Sequence, residues 1–166
     1  VNGAYHSQDT FQDAGFRRSA FLAPSLSYDP TDDLSFLVTT EVYTSEKTHP
    51  TMLFLNRGVE LSARSIEDLG YNPEHSYTDN DLTIRNPTFN LQAEMTYDLS
   101  DAWTAQTAVS RSSASSKGYY SYLYEVAGGN GAYTRFISDQ NSTTLSTDLQ
   151  QNLIGDLTLL GTEHQM

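Results

Sequence analysis

Two stretches of the chain alternate apolar and polar residues with period two. Residues 19–43 read SAFLAPSLSY, DPTDD, LSFLVTTEVY, and residues 88–111 read TFNLQAEMTY, DLSDA, WTAQTAVSR. Each is a run of about ten residues, an aromatic near its end, a five-residue acidic turn and a second alternating run. Side chains of a strand point to opposite faces in turn. Ala20, Leu22, Pro24, Leu26 and Tyr28 therefore share a face, as do Leu34, Phe36, Val38, Thr40 and Val42. In the second pair, Phe89, Leu91, Ala93, Met95 and Tyr97 oppose Asn90, Gln92, Glu94, Thr96 and Asp98. Its return strand sets Trp103, Ala105, Thr107 and Val109 against Thr104, Gln106, Ala108 and Ser110. A later run sets Leu145, Thr147, Leu149 and Leu153 against Ser146, Asp148, Gln150 and Asn152. Leu37 on a polar face and Gln151 on an apolar one break the pattern. The prediction is all-β, with antiparallel strands joined by short turns at one end and long loops at the other.

A soluble sandwich with one wet face gives the same alternation. Three details favour the wall of a transmembrane β-barrel. Runs of about ten residues match the roughly 9–11 that cross a bilayer at a tilt, whereas soluble strands average about 5–6. Amides and acids on the polar faces (Gln92, Glu94, Gln106, Asp148, Gln150, Asn152) suit a water-filled lumen. Tyr28, Tyr97 and Trp103 flank the short turns, where an interfacial aromatic girdle lies.

Between these runs the pattern fades. Residues 1–16 read as a loop leading into the first strand. Pro24 marks an edge or a bulge, because proline donates no ladder hydrogen bond. Residues 44–87 read as a long loop carrying a short amphipathic helix over 59–70, with Val59, Ala63 and Ile66 on one side and Gly70 as its C′ cap. Residues 112–141 read as a second long loop, with Gly128-Gly129-Asn130-Gly131 as a turn. A further strand begins within residues 159–165. Opening on Val1 and stopping at Met166 in that strand, the sequence reads as an internal segment of a longer protein, one partial barrel domain over residues 1–166.

Composition narrows the function. The net charge of −12 makes nucleic acid a poor partner. The absence of cysteine removes disulfides, thiolate metal sites and cysteine nucleophiles. His6, His49, His75 and His164 are dispersed, so no metal site is expected. Asp79-Asn80-Asp81 lacks the Gly and Glu of a calcium loop, and Asp29, Asp32 and Asp33 read as turn formers. No catalytic constellation stands out, so no enzymatic activity and no cofactor are expected. The strongest chemical lead is a tyrosine cluster. Tyr119, Tyr120, Tyr122, Tyr124 and Tyr133 are five of the chain's eleven tyrosines. Tyrosine presents a rigid apolar body with a polar tip, and Arg111, Lys117 or Arg135 supplies positive charge nearby. The ligand-binding candidates are Tyr119, Tyr120, Tyr122, Tyr124 and Arg135, weighed against ordinary strand pairing by good strand-forming residues.

The segment RRSAFLAPSLSYDPTDDLSFLVTTEVY resembles a barrel hairpin of TonB-dependent outer-membrane siderophore receptors. PTMLFLNRG, SYTDNDLTIRNPTFNLQAEMTYDLSDAWTAQTAVSRS and STTLSTDLQQNLIGDL resemble further parts of the same family, over roughly residues 16 to 166. The resemblance implies a 22-stranded transmembrane barrel closed by a plug domain. It implies localisation in the outer membrane of a Gram-negative cell and uptake of ferric siderophores energised by TonB. Its partners are then the siderophore, the TonB complex acting through the plug, and outer-membrane lipid. The short turns face the periplasm and the long loops the exterior. The alternative is a soluble or secreted β-sheet module whose tyrosine-rich loop grips a ligand.

Overall fold

The computed structural model describes residues 1–48, 51–55, 65, 67–126, 132–159 and 162–165. They form an antiparallel meander. β1 (Asn2–Asp9) pairs with β2 (Phe16–Ala23), and β2 with β4 (Leu34–Thr48). β3 (Ser25–Thr31) extends β2 down the same edge of β4. On its other edge β4 meets β6 (Thr83–Arg85) and β7 (Thr88–Ser100). These in turn lie against β8 (Trp103–Glu125), which pairs with β9 (Tyr133–Leu159), and β9 with β10 (Thr162–Gln165).

Two prolines explain why two legs of the meander are each divided. The Pro24 carbonyl accepts a bond from the Thr40 amide at 3.0 Å, and the Pro87 carbonyl accepts one from the Ser115 amide at 3.0 Å. Neither proline can return a bond, so the ladder lapses for a residue. The register does not slip: Leu22 faces Val42 above the break and Ser25 faces Thr39 below it. A one-residue slip would turn every side chain to the wrong face.

The predicted faces are therefore preserved across the sheet. One row joins Leu22, Val42, Phe89, Ser113 and Leu145; another joins Leu26, Val38, Ala93, Val109 and Leu149. This apolar face is open, with Leu26 67%, Leu149 76% and Leu153 56% exposed. The opposite face carries a polar ladder. Gln106 donates to Glu94 at 2.8 Å, Asn152 to Gln106 at 3.0 Å and Gln150 to Asn152 at 3.1 Å. Gln151, the polar residue on the apolar face, is satisfied there. Thr107 donates to its amide oxygen at 2.6 Å, and its nitrogen donates to the Gln106 carbonyl at 3.1 Å.

Several boundaries differ from expectation. Residues 1–16 are largely strand, since β1 pairs with β2 along its whole length. The predicted loop 112–141 is mostly hairpin, because β8 and β9 stay in register from Trp103↔Gly155 to Glu125↔Tyr133. The acidic turns are tighter than five residues. Thr31 pairs with Leu34 and Ser100 with Trp103, leaving Asp32-Asp33 and Asp101-Ala102 as the corners. Within the predicted loop 44–87 lie the end of β4, a short β5 (Met52–Phe54), a 3-10 turn at Glu67–Leu69 and β6. Gly70 has φ +65° and its amide bonds the Glu67 carbonyl, as a capping glycine does. Residues 59–64 and 66 of the predicted helix, and the predicted turn at 128–131, lie outside the described residues.

Among the described residues, the buried hydrophobic side chains are Ile84 and Leu123, at the loop end of the sheet. Along the rest of the sheet no other described hydrophobic side chain is buried.

Candidate functional site

At the loop end, one edge of β8 is taken in succession by β7, β6 and β5. β5 pairs parallel to it, Met52↔Tyr122 to Phe54↔Tyr124. β4 and β8 run in the same direction. The chain leaving β4 thus meets β8 directly, above the point where the intervening leg begins. This brings Phe54 onto the tyrosines. Its ring stacks on Tyr124 with centroids 4.8 Å apart and planes at 10°, and lies 5.9 Å from Tyr122. Tyr124 meets Phe136 edge to face at 5.3 Å, and Tyr120 lies 6.4 Å from Tyr122. These spacings are those preferred by aromatic pairs. An open cleft of about 620 Å³ lies beside them, lined by Tyr122, Tyr124, Glu125, Thr134, Phe136 and Ser138 among others.

The structure divides the predicted site residues between two faces. Tyr120, Tyr122 and Tyr124 stand on the polar face, the same face as Glu41, Gln92 and Ser110. Tyr119 stands on the opposite face, opposite Asp139, and Arg135 is opposite Leu123. Arg135 is also engaged: its guanidinium donates to the Tyr77 carbonyl at 2.7 Å. Phe54 and Phe136 complete the cluster and were not singled out from the sequence. Phe136 had a signal, since the glycine-rich stretch falls between Tyr122 and Phe136 in the sequence, and the register pairs the two. Phe54 had none, because parallel pairing across a strand beginning lower down leaves no local trace.

A braced loop supports this cluster from behind. Tyr133 donates to the Leu69 carbonyl at 2.8 Å, and the Asn72 amide donates to the Tyr77 hydroxyl at 3.0 Å. Tyr77 stacks on Tyr71 at 5.3 Å and adopts φ +55°, a left-handed conformation that costs a non-glycine residue about 1–2 kcal/mol. Burial raises the Tyr71 and Tyr133 hydroxyl pKa values above the ordinary tyrosine range; Tyr77 adds to the first, Glu125 and then Tyr77 to the second.

The far side of the loop is held by the β1–β2 turn. Asp13 accepts from the Ser76 amide at 2.8 Å and lies 2.5 Å from His75 Nδ1, while Gln12 donates to the carbonyls of Pro73 and His75. The His75 contact, then the Ser76 amide, hold the Asp13 carboxyl below its ordinary value of 3.8. A depressed carboxylate pKa favours the folded clamp above the ordinary value, and that contribution disappears as pH falls through the folded one. The Ser76 amide is thus expected to be better protected from hydrogen exchange in the native protein than in Asp13→Asn at neutral pH. The difference should vanish under acid conditions below the depressed value. Equal protection at neutral pH would show that the clamp does not depend on the carboxylate.

The second cavity of note lies on the polar face lower down, lined by Thr39, Glu41, Asn90, Gln92, Ser110 and Ser112 among others. The upper cluster offers stacking surfaces and phenolic hydroxyls, and the lower cavity offers one carboxylate, amides and hydroxyls. Together they form a polar face with an aromatic rim.

No protein-family model matches the chain. No curated protein matches it either. Among solved structures, the chain is similar to FpvA of P. aeruginosa, solved in a complex with a heterologous pyoverdine and iron, with a TM-score of 0.72 and 15% identity. The match covers 98% of this chain and 21% of that one, so the chain spans about a fifth of its neighbour's length. At that identity the likeness is one of fold: an all-β antiparallel sheet of the same class as the neighbour's barrel.

Proposed function

We propose that this chain forms part of the barrel wall of an outer-membrane receptor that takes up iron–siderophore complexes with energy from the TonB system. The observation that carries the reading is the open apolar band on one face of a sheet whose other face is polar. Along β8, Trp103 at the turn end and Ser113 in the uppermost apolar row are ten residues apart. That is about 33 Å along the strand, or about 25 Å of height at a tilt of about 40°, the height of the apolar band of outer-membrane barrels. A soluble sandwich covers such a face with a second sheet.

In this reading the acidic corners at Asp32-Asp33 and Asp101-Ala102 face the periplasm. The aromatic cluster faces the exterior, where a ferric siderophore arrives. The similarity to a structure solved with a pyoverdine and iron supports that ligand class. A plug domain and its contact with TonB belong to the whole receptor. Transport needs no covalent chemistry and no resident cofactor from this wall. The test uses the full-length protein. It should fractionate with the outer membrane, and cells carrying it should accumulate radioactive iron from a siderophore only when TonB is functional. Uptake unaffected by loss of TonB would refute energised transport. Recovery of the protein as a detergent-free monomer would refute the barrel and favour a soluble binding module.

A further inference from the structure

Above the apolar band, beyond an intervening row that holds Ala20, Thr44 and Ser115, the same face carries a row of charged residues set by register: Arg18, Glu46, Arg85 and Lys117 on β2, β4, β6 and β8. Three of the chain's nine Lys and Arg residues thus share one level of one face in a protein of net charge −12. Arg18, Arg85 and Lys117 are all exposed. Arg18 lies over the Phe16 ring, 4.6 Å from its centroid, and Arg85 donates to Glu46 at 2.9 Å. Neighbouring strands are about 4.8 Å apart, so the three cations span about 14 Å, room for two phosphate groups side by side.

We infer that this row is a docking site for the phosphate groups of an anionic lipid in the outer leaflet. The inference rests on the barrel reading above and deepens it. Two observations on the molecule select this occupant. The row shares the face of the apolar band and stands four residues up β2 from Leu22, about 10 Å higher on a tilted strand, so a lipid whose chains cover Leu22, Val42 and Leu145 brings its headgroup within reach of these long side chains. Its charge is also complementary, since Arg and Lys donors bind phosphate oxygens and basic residues at a membrane boundary attract anionic headgroups. Arg17 and Lys47 pair at the same level but on the opposite, polar face, and supply an internal comparison.

The test places the full-length receptor in phosphatidylcholine nanodiscs containing either bisphosphoryl or monophosphoryl lipid A, and measures retained lipid by native mass spectrometry. The wild type is expected to retain the bisphosphoryl form preferentially. Each near-surface cation changes binding to an anionic surface by about fivefold. Arg18→Gln, Arg85→Gln and Lys117→Gln together should therefore lower retention by roughly 100-fold at low salt. Arg17→Gln with Lys47→Gln should leave retention unchanged, and Arg18→Lys with Arg85→Lys should preserve most of it. Undiminished retention in the triple variant, or an equal loss in the Arg17/Lys47 variant, would overturn the assignment while leaving the barrel intact. Failure of the wild type to insert into the bilayer would instead refute the barrel reading beneath it.

Discussion

Replacing Tyr120, Tyr122 and Tyr124 together by alanine in the full-length receptor is expected to weaken binding of its ferric siderophore by roughly 100-fold or more. These three residues stand on one face and with Phe54 and Phe136 form a continuous aromatic surface beside an open cleft. Aromatic anchors at the centre of a binding surface each carry about 2 kcal/mol or more. Loss of several therefore exceeds two powers of ten even if they act together rather than additively. Equilibrium binding to the purified receptor reads the effect, and heat-modifiable migration on gels shows whether the barrel has assembled. Tyr119→Ala is the matched control, since that side chain lies on the other face and should shift affinity by less than about twofold. Arg135→Ala should act differently again. It frees the Tyr77 carbonyl, so protease sensitivity of the loop around residues 71–78 should rise before affinity changes. If the triple variant binds normally, the cluster is a brace for β5 and the loop, and recognition lies elsewhere in the receptor.

The split between Tyr119 and its neighbours also shows where sequence reasoning reached its limit. Alternation placed Phe89, Leu91, Ala93, Met95 and Tyr97 on one face correctly, because each apolar position has a polar neighbour to mark the period. Residues 112–125 have no such marking. Serines occupy both faces of the lower part and tyrosines both faces of the upper part, so the segment reads as loop. What keeps it a strand is pairing on both edges: β9 along its entire length, and β7, β6 and β5 in turn. Strand formation there is decided by neighbours, not by intrinsic preference. Once the strand is continuous, parity alone sends Tyr119 one way and Tyr120, Tyr122 and Tyr124 the other. β1 escaped notice for a similar reason, being exposed along its whole length and held by one partner. The loop's clamp was invisible because Asp13 and His75 are 62 residues apart and joined only by folding. By contrast Pro24, read as an edge or a bulge, is a break in the ladder that leaves the register intact, and Pro87 does the same on the next leg.

The glycine at position 118 provides the sharpest test of how the loop end is held. Gly118 sits opposite Ile84, the most buried hydrophobic residue described, with φ +130°. A Cβ built there would meet the Thr83 carbonyl oxygen at 2.1 Å and the Ile84 Cα at 2.8 Å, both backbone atoms that cannot swing aside. Gly118→Ala therefore demands an unfavourable backbone conformation and displacement of β6 from β8. The expected cost is about 3 kcal/mol, in the range of strained backbone and overpacked sites. Gly70 separates the two contributions: its φ is +65°, yet nothing lies within 4 Å of the corresponding Cβ. Gly70→Ala should cost only about 1 kcal/mol, the conformational part alone. Urea unfolding of the full-length barrel reads both as shifts in the midpoint. The larger loss in Gly118→Ala should be accompanied by proteolytic opening near residues 83–85, since the strand that is pushed away is the one that carries Ile84. Equal midpoints for the two variants would mean that β6 yields without resistance, and that the buried Ile84 contact does not secure the loop end to the wall.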